Sequence, residues 1–529
     1  MMQTPPASET VAAILRDAGE GSRRITTATV RAADLAEAVR LLGERSGTAF
    51  ADLFAVDERA HAGRFQLHLV WAFDRTATWL DLVVDVDPGQ PWYPSITPVL
   101  PVAGWYEREI RDELGIEPRG HPGLRRLRRP ADWPADAYLL RRELDWAAPV
   151  PRVAASAEDE LFPLAPAPEG VVDYPLGPVR SGVVESGHYT LRTVGEELVD
   201  LRLQLFYKHR GVEKRAEGLG LLHAPLVAER ISGTSAFAHS LALCQAIERA
   251  SGAVVPERAR YLRTLFAELE RLYNHVGYQA DLCQATGLGV GQAQCEILKE
   301  RLLRLNAAVA SHRYLFGLNV PGGLARDLDA PVLGNIRRAL HELRAGLDTL
   351  DPLLLGSASH LDRLEGTGIL RPDDARAFGA VGPIGRASGI DRDLRRDHPY
   401  AAYDAVDFAV PVIETGDALA RFRIRLAEAR ESIRIAEQVI DAIPGGPISA
   451  EIDLPPEGAT GLGWAESTRG ESLHWVAFGP DGTIARYRAR PASFANWQAF
   501  PLAVPGHNIL TDFPVIEQSF GLSFAGADR

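Results

Sequence analysis

The chain has 529 residues, too many for one hydrophobic core and enough for two or three domains. Hydrophobic residues at 46% and charged residues at 24% are ordinary for a globular protein, and a net charge of -13 argues against nucleic acid as a general partner. Cys244, Cys283 and Cys295 have no Cys-x-x-Cys spacing, which argues against a disulfide framework or zinc knuckle and fits a reducing cytosolic setting.

Residues 1–30 read as an N-terminal tail without the apolar core of a signal peptide. No run of 18 apolar residues occurs anywhere, so no direct membrane span is expected. A helical pattern over 33–45 precedes "RFQLHLVWAF" (64–73) and "TWLDLVVDV" (78–86), which are rich in β-branched and aromatic residues and read as paired strands. "GWYEREIRDELGI" then reads as a short amphipathic helix. These elements make residues 31–147 a small α/β domain. Within it "RGHPGLRRLRRP" carries five arginines in twelve positions, either a solvated turn or a docking surface for an acidic partner protein. Residues 148–170, rich in Pro, Ala and acid, read as a linker.

From 171 to 529 the pattern changes to strands followed by long helices. "GPVRSGVVESGHYTLRTVGEELVDLRLQLF" reads as hairpin strands with glycine turns. In "PERARYLRTLFAELERLYNHV" Pro256 suits a first helical turn, and Leu262, Leu265, Phe266, Leu269, Leu272, Tyr273 and Val276 form one apolar stripe. Further helices are expected over 293–316, 331–355 and 416–443, the last stopped by "PGGP". The fold class is therefore α+β, with the small domain followed by a mainly helical bundle carrying peripheral strands.

Two segments place small or polar residues three apart: Ser232 and Ser235 in "ERISGTSAFAHS", and Ser523 and Gly526 in "SFGLSFAGADR". Read locally, Ser232 and Ser235 are candidate caps for the helix that follows. Their alternative role is to line a cavity.

"WYEREIRDELGIEPRGHPGLRRL" resembles the signature of the C-type component of bacterial NADH-quinone oxidoreductase (complex I). "LFYKHRGVEK", "GLGVGQAQCEILKERLLRLN", "ASGIDRDLRRDHPYAAYD", "STRGE" and "RYRARPASFANW" resemble its D-type component. They are closer still to the large subunit of energy-converting nickel-iron hydrogenases of the formate-hydrogenlyase type, in which the two parts are fused. In those hydrogenases two Cys-x-x-Cys pairs bind nickel and iron. The resemblance matches the first pair's frame to Arg230, Ser232, Gly233 and Ser235, and the second to Ser523 and Gly526, so all four ligand positions are changed. A thiol is readily deprotonated by a metal and is soft; a serine hydroxyl is hard and neutral, and glycine donates nothing. Nickel-iron is expected to be absent. The resemblance also makes Asp528-Arg529 the mature end of such a large subunit, an ending that drift after loss of the metal would equally give.

The same resemblance marks Glu185 and His188 as a candidate proton relay, against a surface charge and a packed turn residue. It places Asp397 and His398 in a charged segment that borders the quinone cavity in complex I, against a solvated charged face. His239, Arg469, Glu471, Arg488 and Arg490 are candidate cavity residues, with arginine chosen because it stays charged when partly buried. Quinone is a possible ligand. Gly233 stands at the family's quinone-holding tyrosine and Arg180 at one family histidine.

No iron-sulfur ligand pattern, dinucleotide fingerprint or P-loop is present. Electrons would arrive from an iron-sulfur small subunit, and the resemblance implies a membrane arm with antiporter-like proteins. The chain would then lie at the cytoplasmic inner face of the membrane, held there through those partners. Three functions follow: a metal-free redox-coupling subunit, a structural or assembly subunit, or a hydrogenase with unorthodox ligands.

Overall fold

The computed structural model describes residues 24–145, 147–154, 166–180 and 185–529. The expected tail up to residue 23, residue 146, the stretch 155–165 of the expected linker and residues 181–184 lie outside these. The chain divides into two compact units. One runs to Pro166 and includes Glu213–Arg215 and Ala377–Gly379; the other comprises Ala167–Val212, Ala216–Arg376 and Ala380–Arg529.

In the first unit β1 (Ile25–Thr29), α1 (Leu35–Glu44), β2 (Thr48–Glu58), β3 (Arg64–Phe73), β4 (Thr78–Val86) and α2 (Ala103–Leu114) follow in order. The strands form one sheet, β1-β4-β3-β2, with β1 parallel to β4 and the other pairs antiparallel. Pairing Phe65 with Val86, Leu67 with Val84, Leu69 with Leu82 and Trp71 with Leu80 puts large apolar side chains opposite one another on one face. The other face buries a polar pair, His68 Nδ1 lying 2.9 Å from an Asp81 carboxylate oxygen.

The second unit opens with the antiparallel sheet β5 (Val172–Leu176), β6 (His188–Val194) and β7 (Glu197–Gln204). Its helical body is α3 (Ala236–Ser251), α4 (Glu257–Thr286), α5 (Gly289–Ala310), α6 (Ala330–Gly356) and α7 (Ala418–Ala442). A second antiparallel sheet, β8 (Thr460–Ser467), β9 (Gly470–Phe478) and β10 (Ile484–Arg490), covers α3, and α8 (Ala492–Ala499), α9 (Phe513–Phe520) and α10 (Phe524–Asp528) close the chain.

Two boundaries differ from expectation. Pro256 is the N-cap of α4 rather than part of its first turn, and α4 continues to Thr286 before Gly287 turns left-handed. The helix expected over 293–316 begins at Gly289 and ends at Ala310, because Ser311 adopts a left-handed conformation with φ 59°. The expected stripe of α4 is buried, but so are Arg263, Glu268, Glu270, Arg271 and His275 on its other sides. Between Leu262 and Ala280 the helix is covered on nearly every side, while Glu257, Asp281 and Gln284 are exposed towards its ends.

At two glycines of β8 its backbone rests directly on that of α3. A Cβ at Gly461 would meet the Ala246 carbonyl oxygen at 1.9 Å, and one at Gly463 would meet that of Ala242 at 1.9 Å. Only glycine permits so close an approach.

Candidate functional site

The two three-spaced segments meet. Ser232 Oγ lies 3.4 Å from Ser523 Oγ and 3.2 Å from Thr234 Oγ1. Ser523 caps α10, its Oγ accepting from the Gly526 N–H at 2.9 Å, while its own N–H donates to Ser493 Oγ at 3.0 Å. A side chain at Gly526 would press on Ser523 Cβ at 3.2 Å and Ser232 Cβ at 3.7 Å. Ser232, Ser235 and Ser523 are all buried.

Two arginines stitch the segments together. Arg469, in the turn between β8 and β9, donates from Nη1 to Thr234 Oγ1 at 2.7 Å and from Nε to the Gly521 carbonyl at 2.7 Å. Arg210 donates to the carbonyls of Arg230 (2.5 Å) and Ile231 (2.9 Å) on one side and Ala525 (2.6 Å) on the other. Burial lowers the pKa of both guanidiniums. Glu185 joins from the loop before β6, its carboxylate accepting from the Phe524 N–H at 2.6 Å. The chain's last residues are anchored by the same loop as Arg210: Asp528 accepts from the N–H groups of Phe206 and Lys208, both at 2.9 Å. The Arg529 guanidinium is buried, lies 4.5 Å from the Phe494 ring centroid and donates to the Ala489 carbonyl.

The expected caps are corrected in one respect. Ser235 is the N-cap of α3 but its side chain accepts no cap hydrogen bond, and neither does that of Ser232 at the preceding 3-10 turn. The donors of the first turn of α3 are taken by Glu270 of α4, which accepts from Phe237 N–H at 2.7 Å and Ala238 N–H at 3.1 Å. Burial pushes the Glu270 carboxyl up to about 8, against the lowering effect of these two backbone donors.

His239, one turn into α3, belongs to a buried chain. Its Nδ1 lies 3.0 Å from His474 Nε2 on β9, and His474 Nδ1 lies 2.7 Å from the Tyr487 hydroxyl on β10. Burial, then the charges of Arg210 and Arg469, bring His239 down to about 3; burial and His239 hold His474 well below its ordinary value. Both imidazoles are neutral at physiological pH.

The segment "DRDLRRDHPY" divides between surface and interior. Asp391 and Arg396 are exposed and pair at 2.7 Å, with Asp397 also bound to Arg396 at 2.7 Å. Asp393, Arg395 and His398 are buried. Asp393 and Arg395 enter a network in which Arg386 contacts Glu428 (2.8 Å), Glu466 (3.0 Å) and Asp393 (3.4 Å), Arg395 contacts Glu268 (3.1 Å), and Arg271 contacts Glu428 (2.6 Å). Burial opposes ionisation of Glu428 and Asp393, but Arg386, with Arg271 and Arg395, holds both below the usual carboxylate range. Glu466, pressed by burial and by Asp393, is raised. A cavity of about 20 Å³, room for a water molecule, lies beside this network and is lined by Arg386, Arg392, Glu466, Glu471 and Ile390 among others.

The expected site residues thus fall into separate places. Ser232, Ser235, Ser523, Gly526, Arg469 and Glu185 surround the junction of the two segments. Glu471 instead pairs with Arg392 and with Arg490 at the small cavity, and Arg488 is buried over Phe494, 5.9 Å from its centroid. Arg230 does not line the junction: its side chain is 59% exposed and stacks on Phe316 at 4.3 Å. Glu185 and His188 use different partners, since His188 contacts the Gly177 carbonyl (3.2 Å) and Thr190 Oγ1 (3.3 Å). Asp397 belongs to the Arg396 cluster and His398 packs against Trp464, whose indole N–H donates to the His398 carbonyl. Sequence reasoning missed Arg210, Glu270 and His474. Arg210 lies within the motif "LFYKHRGVEK" but was not singled out there, and no local pattern marks Glu270 or His474, because each acts on a segment distant in sequence.

The junction does not fit a nickel-iron centre. Three of its positions carry hard, neutral serine hydroxyls, of which those of Ser232 and Ser523 contact each other and that of Ser523 accepts from a backbone N–H, and the fourth position has no side chain. Among the described residues no group of three His, Cys, Asp or Glu side chains is placed to hold a metal.

Residues 28–150 match the family described as "Respiratory-chain NADH dehydrogenase, 30 Kd subunit" and residues 294–461 the one described as "Respiratory-chain NADH dehydrogenase, 49 Kd subunit". The chain is 34% identical to formate hydrogenlyase subunit 5 of Escherichia coli (strain K12), over 95% of this chain and 89% of that protein. It is 30% identical to the fused C/D component of NADH-quinone oxidoreductase from Gluconacetobacter diazotrophicus, over 90% of this chain and 87% of that one. A solved chain of the membrane-bound sulfane sulfur reductase, an archaeal respiratory membrane complex, matches with TM-score 0.64 and 26% identity, covering 69% of this chain and 100% of that one. With its 30 kDa-type and 49 kDa-type parts in one polypeptide, the chain belongs to the family of fused C/D-type proteins shared by NADH-quinone oxidoreductases and formate-hydrogenlyase-type hydrogenases.

Proposed function

We propose that this chain is the metal-free, hydrogenase-like large subunit of a membrane-associated oxidoreductase complex. It takes electrons from an iron-sulfur cluster in a docked small subunit and couples their transfer to proton or ion movement through a membrane arm. The observation that carries this reading is the junction itself: Ser232 and Ser523 are in hydrogen-bond contact where the family places thiolates, while Arg469, Arg210 and Glu185 still converge on it. Fixed positive charge and a carboxylate suit a site that handles protons and a polar organic acceptor. Quinone is one candidate acceptor. The sulfane sulfur reductase, as a relative named for another acceptor, adds sulfane sulfur to those worth assaying. The complex would sit at the cytoplasmic face of the membrane through its partners; no described helix is long and apolar enough to cross one.

The test is metal analysis and turnover of the native complex. The proposal expects no stoichiometric nickel, and expects His188→Gln, Asp397→Asn and Arg469→Gln to lower turnover in complexes that still assemble. Stoichiometric nickel with hydrogen evolution would restore the hydrogenase reading. A second reading, a structural subunit kept for assembly, is favoured by the tight closure of the junction, and unchanged turnover in all three variants would select it.

A further inference from the structure

The buried chain of His239, His474 and Tyr487 is assembled by backbone geometry from three separate elements. Gly463 of β8 stands opposite His474 of β9 in the sheet register, and it is at Gly463 that the Ala242 carbonyl of α3 comes so close. His239 precedes Ala242 by three residues and shares its face of α3, so its ring reaches the sheet at His474, with centroids 5.2 Å apart. Tyr487 of β10 pairs with Val476, which makes it the diagonal neighbour of His474 on the same face of the sheet. Both resulting contacts are of hydrogen-bond length: 3.0 Å from His239 Nδ1 to His474 Nε2, and 2.7 Å from His474 Nδ1 to the Tyr487 hydroxyl. Both nitrogens of the middle ring are thereby engaged. Around them Leu243, Ile247 and Val476 supply an apolar wall.

Such a chain has two arrangements. Burial keeps both imidazoles neutral, and a neutral ring has one N–H donor and one acceptor nitrogen. If Tyr487 donates to His474 Nδ1, then His474 Nε2 donates to His239 Nδ1, and His239 holds its proton on Nε2. If His239 donates from Nδ1 instead, His474 donates from its own Nδ1 to the tyrosine oxygen. In either case the two rings share one tautomer.

We propose that Tyr487, His474 and His239 form a two-state proton relay that carries one proton from β10, past β9, to the start of α3. Tyr487 is the outer end: it keeps 5% of its surface exposed, against 1% for His239 and none for His474. His239 is the inner end, one turn beyond Ser235 and the junction of the two serine-bearing segments. A proton arriving at the Tyr487 oxygen lets the hydroxyl pass its own to His474 Nδ1. His474 passes its Nε2 proton to His239 Nδ1, and His239 releases the proton on its Nε2. One O–H and two Nδ1–H bonds form, one O–H and two Nε2–H bonds break, and no electron moves. The relay is then set in the other tautomer and returns when a proton passes back, so it hands protons over singly.

This deepens the proton-handling half of the proposed function and rests on it for its purpose, but its test needs no partner. Nitrogen NMR of the full chain carrying isotope-labelled histidine reads the state of each ring, with His239→Gln and His474→Gln assigning the signals. Near neutral pH both rings are expected to be uncharged, in the same tautomer, and coupled across the N–H···N bond. Exchange of the ring protons with water is then compared in Tyr487→Phe, which removes one oxygen and keeps the ring. With the outer end of the relay gone, the His239 ring proton should exchange slower by about tenfold or more. A hydroxyl that only packs would give the opposite sign or no change, since its loss can only loosen the site. Should Tyr487→Phe fail to fold, His474→Phe decides, because breaking the relay in the middle must slow exchange at His239 in the same way. Different tautomers on the two rings, a charged ring, or exchange at His239 that is unchanged or faster overturns the proposal. The metal and turnover assays of the complex read none of these quantities, so the two readings fall separately.

Discussion

Replacing Arg386 with methionine tests whether the buried ion network holds the second unit together. Arg386 is wholly buried and faces Glu428 at 2.8 Å, Glu466 at 3.0 Å and Asp393 at 3.4 Å, and it also donates to the Arg392 carbonyl at 2.8 Å. Methionine fills much of the volume but leaves three carboxylates short of one positive charge. Breaking a buried pair on one side costs roughly 3–5 kcal/mol, because the surviving charge stays buried without compensation. In a unit of this size that lowers the melting temperature by several degrees, somewhat less per kcal/mol than the about 2–4 °C of a domain of roughly 150–250 residues. Differential scanning calorimetry of the full chain reads it, with the transitions of the two units fitted separately. The loss should be partly restored in the double variant Arg386→Met, Glu428→Gln, which removes one orphaned charge. The pH dependence has a definite sign. Glu428 and Asp393 are depressed in the folded state, so their stabilisation is present above the ordinary carboxylate range and is lost as pH falls through their lowered values. Arg386→Met should therefore melt with less loss on acidification than wild type. A single variant that melts like the wild type, or a double variant no more stable than the single one, would refute the reasoning.

Arg469→Ala removes two hydrogen bonds from a cation, each worth about 1.5–3 kcal/mol, and should loosen the 519–529 segment, read as faster hydrogen exchange there. Gly463→Ala forces a Cβ against the Ala242 carbonyl and should cost at least about 1–3 kcal/mol by thermal unfolding, although no charge or functional group changes. His474→Phe keeps an aromatic ring but orphans His239 Nδ1 and perturbs Tyr487, at about 1–3 kcal/mol for the lost buried partner, measured by urea unfolding. Glu270 is raised from an ordinary 4.5 to about 8, so its contribution to stability is full below the unfolded value and is lost as pH rises towards 8. Glu270→Gln should flatten that slope in a stability-versus-pH series.

The strands β3 and β4 were legible because alternation and β-branched content act over nearest neighbours, and their limits match the sequence reading. The stripe of α4 was legible for the same reason, but it revealed one face of a helix whose middle is covered on nearly every side. Burying Arg271, Glu268 and His275 depends on Glu428 and Arg395, more than a hundred residues away, and no local period encodes such a pairing. The charged stretch 391–400 was ambiguous on its own; its inner half is interior only because Arg386 and Glu466 meet it there. The cap of α3 misled for a similar reason. Serine at a helix start is a sound local expectation, and a buried glutamate from the next helix displaced it. The helix expected to reach 316 stops at Ala310, since residues 312–316 keep an apolar and aromatic spacing that imitates a helical face while the backbone turns at Ser311.

The glycine contacts between α3 and β8 have a mechanical consequence. Where side chains separate a helix from a sheet, small shifts are absorbed by rotamer changes; here backbone rests on backbone at Gly461 and Gly463, and nothing soft lies between. A displacement that begins at the first turn of α3 must carry the strand with it, and that strand leads directly into the loop bearing Arg469. The helix, the hairpin and the guanidinium at its tip behave as one stiff lever.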